Sequence, residues 1–96
     1  MKIKEKGYYQ LKWGDNAKWM HLASRTFIGQ IQEVTGKDMV TFGKELAETD
    51  GKGEQEQFNK ITDLVHAGFR AYDLEEDIEI DYNAYKVGNW LHDAPH

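Results

Sequence analysis

Cysteine is absent from these 96 residues. That excludes a disulfide scaffold, a cysteine nucleophile and any thiolate metal site. Proline occurs once and no tract is of low complexity, so disorder along the whole chain is not expected. Serine also occurs once, as Ser24. No apolar run approaches the ~20 residues of a membrane helix. The opening MKIKEKGYYQ has no apolar core segment and does not read as a secretory signal. What is present, 40% hydrophobic and 12% aromatic residues, suffices for one modest core. A single domain over 1–96 is expected, with 1–6 and 94–96 as flexible ends.

The formal charge of −5 is unevenly spread: residues 1–48 carry +2 and residues 49–96 carry −7. Such asymmetry favours head-to-tail self-association into a homo-oligomer, or a basic partner. The plainer explanation is that exposed faces are charged.

The spacing of apolar residues predicts one strand and four helices. Tyr8 to Trp13 alternates, with Tyr9, Leu11 and Trp13 on one side. Gly14 breaks the strand, and Asp15 is read as a helix N-cap. From Asn16 to about Val34, residues Ala17, Met20, Ser24, Phe27, Ile28, Ile31 and Val34 follow helical spacing. Thr35-Gly36 ends that helix, and Asp38 caps a short one through about Leu46. Residues 49–53 read as a loop. Glu54 to about Tyr72 is the clearest helix, with Phe58, Ile61, Leu64, Val65, Gly68, Phe69 and Tyr72 as one stripe. Gly68 within it suggests a closely crossing helix. Residues 73–81 read as an acidic connection, and Asp81 caps a last helix from Tyr82 to about His92. The fold class is therefore mainly α, a small bundle of about four helices with a short N-terminal β-strand or hairpin. A strand cannot stand alone, so either residues 1–6 fold back on it or another copy pairs with it.

No constellation carries obvious chemistry. His21, His66, His92 and His96 are scattered and lack metal-ligand spacing. Asp63 and His66 share a helix face, an arrangement more often surface decoration than a site. The run from Asp73 lacks the EF-hand glycine and glutamate, because its sixth and twelfth positions are Ile78 and Ala84. Gly51-Lys52-Gly53 lacks the rest of a phosphate loop. Ser24 sits in an apolar stripe without a base beside it. No catalytic residue, metal or cofactor is expected. Nucleic-acid binding is disfavoured by the net acidity, although lysines and aromatics interleave near the start.

Apolar residues off the stripes are the more useful candidates. Leu22 projects about opposite the face of the first helix on a helical wheel, and Trp19 lies on its flank. Trp90 and Tyr85 lie off the Ala84/Val87/Leu91 face of the last helix. Leu22, Trp19, Tyr85 and Trp90 are therefore the candidate partner-binding residues. A second candidate surface is the acidic set Asp73, Glu75, Glu76, Asp77, Glu79 and Asp81.

The order of motifs resembles the tail assembly chaperones of long-tailed, siphovirus-type bacteriophages. Leu11-Lys12-Trp13-Gly14 closes an extended segment before a helix opening at Ala17. Thr35-Gly36, a short helix and a polar loop follow. Then come Leu64-Val65-His66-Ala67-Gly68-Phe69 and Val87-Gly88-Asn89-Trp90-Leu91-His92-Asp93. The likeness spans roughly residues 7–93, and it is the order rather than any single motif that carries it. The aromatic Tyr8-Tyr9-Gln10-Leu11-Lys12-Trp13 and the dense acids at 73–81 depart from the family pattern. The resemblance implies a mainly α, non-catalytic protein that binds the tape-measure protein in the host cytoplasm and is not in the finished virion. The alternative is a small acidic regulator or inhibitor that masks a basic surface through the acids at 73–81.

Overall fold

The computed structural model describes residues 7–49 and 53–94. Expectations for residues 1–6 and 95–96, and for the tip of the 49–53 loop, fall outside them. The elements run β1 Tyr8–Trp13, β2 Asn16–His21, α1 Arg25–Thr35, α2 Met39–Glu48, α3 Glu54–Glu75 and α4 Ala84–Asp93. The chain is thus mainly α with an N-terminal antiparallel hairpin. Ala94, expected in a flexible end, is buried.

The hairpin corrects the reading of Asn16 to Val34 as one helix. β1 pairs with β2 from Tyr8↔His21 to Trp13↔Asn16. The connection is the two-residue Gly14-Asp15, with Gly14 at φ +55°. A glycine at the first position of so short a loop matches strand twist and reverses the chain. Asp15 is therefore a turn residue, not a helix cap. β1 finds its partner within the chain, from a segment whose Ala17 and Met20 only mimic helical spacing.

The first helix begins later, at Ser24. Its Oγ accepts a hydrogen bond from the Phe27 amide at 3.1 Å, so the one serine is an N-cap rather than an interior hydroxyl. Gly36 ends α1 in the left-handed conformation at φ +75°. Asp38 caps α2 by accepting from the Thr41 amide at 2.7 Å. Asn83, not Asp81, caps α4. α3 runs one turn beyond Tyr72, taking Asp73, Leu74 and Glu75 from the expected acidic connection.

α3 is the hub, and it separates two cores. On one side Phe27, Ile31 and Phe42 from α1 and α2 pack against Ala67 and Ala71. On the other, Met20 of β2 and Val87 of α4 pack with Val65, Phe69 and Tyr82. The expected single stripe on α3 is therefore incomplete. Ala67 and Ala71, whose small side chains admit α1 closely, are fully buried, while Ile61 stays exposed. Burying both sides of one helix is efficient in so short a chain, because each buried large apolar side chain contributes ~1.5–3 kcal/mol.

Gly68 marks a close approach, but of the hairpin and not of a helix. A Cβ there would lie 2.6 Å from Leu22 Cδ2 and 3.0 Å from Met20 Cβ. Leu22 itself packs against both cores.

Candidate functional site

The acidic run divides into one buried carboxylate and a set of exposed ones. Asp73 is 0% exposed, which removes it from the proposed acidic surface. Its Oδ2 accepts from Lys18 Nζ at 2.6 Å and from the Tyr82 hydroxyl at 2.6 Å. Lys18 also lies over the Tyr82 ring, 4.8 Å from its centroid. Burial, reinforced by the Asp73 carboxylate, pushes the Tyr82 phenol well above its usual value. The phenol therefore stays a donor at any physiological pH. The cluster joins β2, the end of α3 and the segment before α4. A carboxylate of this kind survives burial only when paired and hydrogen-bonded, and its function is structural.

Glu75, Glu76, Asp77, Glu79 and Asp81 are exposed. Glu75 Oε1 is 2.7 Å from His21 Nδ1, and His21 stacks on Tyr8 with 3.9 Å between ring centroids. Burial alone raises the Glu75 carboxyl, but hydrogen bonds from Ser24 and His21 outweigh it and hold it below the usual range. Asp77 closes α3 in the left-handed region at φ 59°, with the Ile78 amide donating to the Asp73 carbonyl at 2.8 Å. At least two of the acids therefore have local structural work.

The pair Asp63 and His66 is not the exposed decoration expected. His66 is buried, edge-on to Tyr82, and neither ring nitrogen has a hydrogen-bond partner. Burial, then the Arg70 charge, holds its pKa below the usual value. Asp63 is half-buried, and burial raises its carboxyl above the usual range against the weaker pull of Lys60 and Lys37. The Lys60 ammonium is committed elsewhere, to Glu45 at 2.8 Å across to α2. Among the described residues, no three His, Cys, Asp or Glu side chains converge as metal ligands.

The four candidate contact residues fare differently. Trp90 stacks on Trp13 with 4.8 Å between centroids and meets Phe69 and Tyr82 at 6.0 and 5.6 Å. It is a lid on the core. Trp19, expected on a helix flank, lies on β2 and is partly buried. Leu22 does not point away from a helix. It follows β2, half-buried between the cores, with one side on an open groove formed with Phe27, Ile28 and Met39. Tyr85 alone projects freely, at 78% exposure. It lines a second groove, between α3 and α4, with Phe58, Thr62, Asp63, Gly88 and Asn89.

Sequence reasoning missed Ile28 and Val40 as exposed residues and Lys18 as a partner of Asp73. Ile28 continues the helical spacing of the first stripe and Val40 adjoins Met39, but α1 and α2 leave both exposed. Val40 is 82% exposed. No protein-family model matches the chain, and no curated protein or solved structure is significantly similar to it.

Proposed function

We propose that this chain is a non-catalytic polypeptide-binding module, a tail assembly chaperone that holds the phage tape-measure protein soluble during tail morphogenesis. The observation that carries the reading is the pair of open grooves with apolar linings, one containing Leu22, Phe27, Ile28 and Met39, the other Phe58 and Tyr85. The choice of partner rests on the resemblance over residues 7–93 alone, and one of its elements, the helix opening at Ala17, is strand β2 in the structure. A holdase needs shallow apolar grips for the partner's apolar stripe, with net charge around them to keep the complex soluble. Both are present at a formal charge of −5. Many copies along one long chain convert individually weak contacts into tight retention. The protein acts in the host cytoplasm and leaves before the virion is complete.

The test is co-expression with a tape-measure protein from the same genome, which the proposal requires to exist. The partner should become soluble and co-purify with the chain. A tape-measure protein that stays insoluble, or soluble without the chain, ends the proposal. The competing reading, an acidic inhibitor, needs the exposed acids Glu76, Asp77, Glu79 and Asp81. Reversing Glu76, Glu79 and Asp81 abolishes binding on that reading and leaves a chaperone gripping through apolar grooves largely intact.

A further inference from the structure

The groove between the first half of α3 and α4 is specific in its chemistry. Its floor is Phe58 and Thr62. The Thr62 hydroxyl donates to the Phe58 carbonyl at 2.8 Å, so the hydroxyl is satisfied within its own helix. The wall dips at Gly88, where an added Cβ would lie 3.8 Å from Thr62 Cγ2 and 3.9 Å from Phe58 Cε2. The methyl of Thr62 and the ring of Phe58 are what the groove presents there. Tyr85 stands above this dip with most of its ring in solvent.

Among the described residues, one charged side chain lines that groove: Asp63. It is half-buried, and among the described residues it has no hydrogen bond or ion pair, because Lys60 is drawn off by Glu45. Toward the start of α3 the concavity continues past Glu54 and Glu56, where Lys60 is again the cation. A half-buried carboxylate that has no hydrogen bond or ion pair among the described residues, and that Lys60 and Lys37 offset only weakly, attracts a further cation beside an apolar floor. The groove is walled by two helices whose backbone bonds are internal, so it offers no edge for an added strand. It suits side chains at helical spacing.

We propose that this groove is the docking site for an amphipathic helix whose apolar stripe is edged by lysine or arginine. This deepens the reading above and rests on it only in that the chain binds polypeptide. Apolar residues of the guest cover Phe58 and slide under Tyr85, and a flanking cation meets Asp63. The opposite groove, lined by Leu22, Ile28 and Met39, carries Arg25 instead of an acid and does not select such a guest. Burial that pushes the Asp63 carboxyl up is consistent with a charge awaiting a partner.

The experiment uses the full chain, isotope-labelled, with two synthetic helical peptides of roughly 18 residues, about 27 Å long. They share one leucine stripe and differ only in flanking lysine or flanking glutamate. The lysine peptide should shift the amides of Phe58, Asp63, Tyr85 and Gly88 and bind at least about tenfold more tightly than its glutamate twin. Asp63→Asn should lose about that factor for the lysine peptide while its melting temperature holds or rises. Tyr85→Ser, changed at an exposed position, should weaken both peptides. Shifts confined to the Leu22/Ile28/Met39 groove overturn the proposal. So does equal affinity for the two peptides, or unchanged binding by Asp63→Asn. A dimer in sedimentation that Tyr85→Ser dissociates also overturns it, since the occupant is then a second copy. If co-expression succeeds with the parent and equally with Asp63→Asn, the groove is wrong and the chaperone reading stands. If the parent fails to solubilise the tape-measure protein while the lysine peptide binds as stated, the chaperone reading fails and the groove stands.

Discussion

Asp63 and Asp73 lie on the same helix and are treated in opposite ways. Asp73 is sealed in the core, held by Lys18 and Tyr82. Asp63 is half-buried on an open groove and unpaired among the described residues, while its nearest helical neighbour of opposite sign, Lys60, serves Glu45. The second half of α3 is wrapped by α1, β2 and α4, and the first half is left open on one side. Two identical side chains therefore have different roles because the elements around them differ. One carboxylate stabilises the fold, and the other is a cost that a partner can relieve.

The largest expected effect comes from breaking the closed end. Asp73→Ala strips Lys18 and the Tyr82 hydroxyl of their shared acceptor, and should cost about 3–5 kcal/mol in urea unfolding, as for other broken buried pairs. Asp63→Asn is the counterpart and should fall within about 0.5 kcal/mol of the parent, or above it. Equal losses at the two positions would erase the contrast.

Two glycines sharpen the same comparison by a smaller amount. Gly68→Ala sets a methyl 3.0 Å from Met20 Cβ, which is anchored to its strand, although the tip of Leu22 can move away. Overpacking outweighs the helix-propensity gain, and a net loss of roughly 1–2 kcal/mol is expected. Gly88→Ala meets only ordinary contacts at 3.8 and 3.9 Å, and should gain about 0.5–1 kcal/mol through reduced backbone entropy. It also raises the groove wall, so it should weaken peptide binding as it raises the melting temperature.

The pH dependence separates the two regions further. His66 is held below its ordinary 6.5, first by burial and then by Arg70. The unfolded chain takes up a proton that the folded chain resists. Stability is complete above pH 6.5 and is lost as pH falls from there toward the depressed folded value. His66→Leu should flatten this limb between about pH 7.5 and 5.5 in urea midpoints. Asp63 has the opposite sign. Its raised folded pKa means that ionisation disfavours the fold as pH rises through the carboxylate range. Bound lysine peptide should reverse that slope, and Asp63→Asn should abolish it.

The smallest effect lies at the surface. Lys37 and Lys60 hold the Glu45 carboxyl down at about 2 by hydrogen bonds and charge. Its contribution is present above the ordinary 4.5 and fades as pH falls toward 2. Glu45→Gln should soften only the acid limb of the stability curve, and added salt should hide the difference.

Much of this architecture was legible along the chain. The strand from Tyr8 to Trp13, the caps Gly36 and Asp38, and a long helix through Phe58 to Tyr72 fell where local physics put them. β2 was not legible. Ala17 and Met20 stand three apart, as on a helix, and Asn16–His21 contains no β-branched residue to argue for a strand. The two-residue Gly14-Asp15 connection was the available signal, and an aspartate before a periodic segment reads equally well as a cap. The place of Leu22 depends on this: on a helix over 16–34 it points outward, whereas after a strand it lies between both cores. Tyr85 is exposed as expected, but the face of α4 is not the expected one: Ala84 is exposed and Trp90 packs on the core.

Local sequence determined that the chain makes short helices with defined ends, that it has no thiol chemistry, and that its second half is acidic. These follow from residue type and spacing, which need no distant neighbour. Only the tertiary structure decided which acid is hidden, which glycine is crowded and which aromatic is free. Each of those depends on what crosses α3, and a side chain cannot signal in its own sequence what will be packed against it.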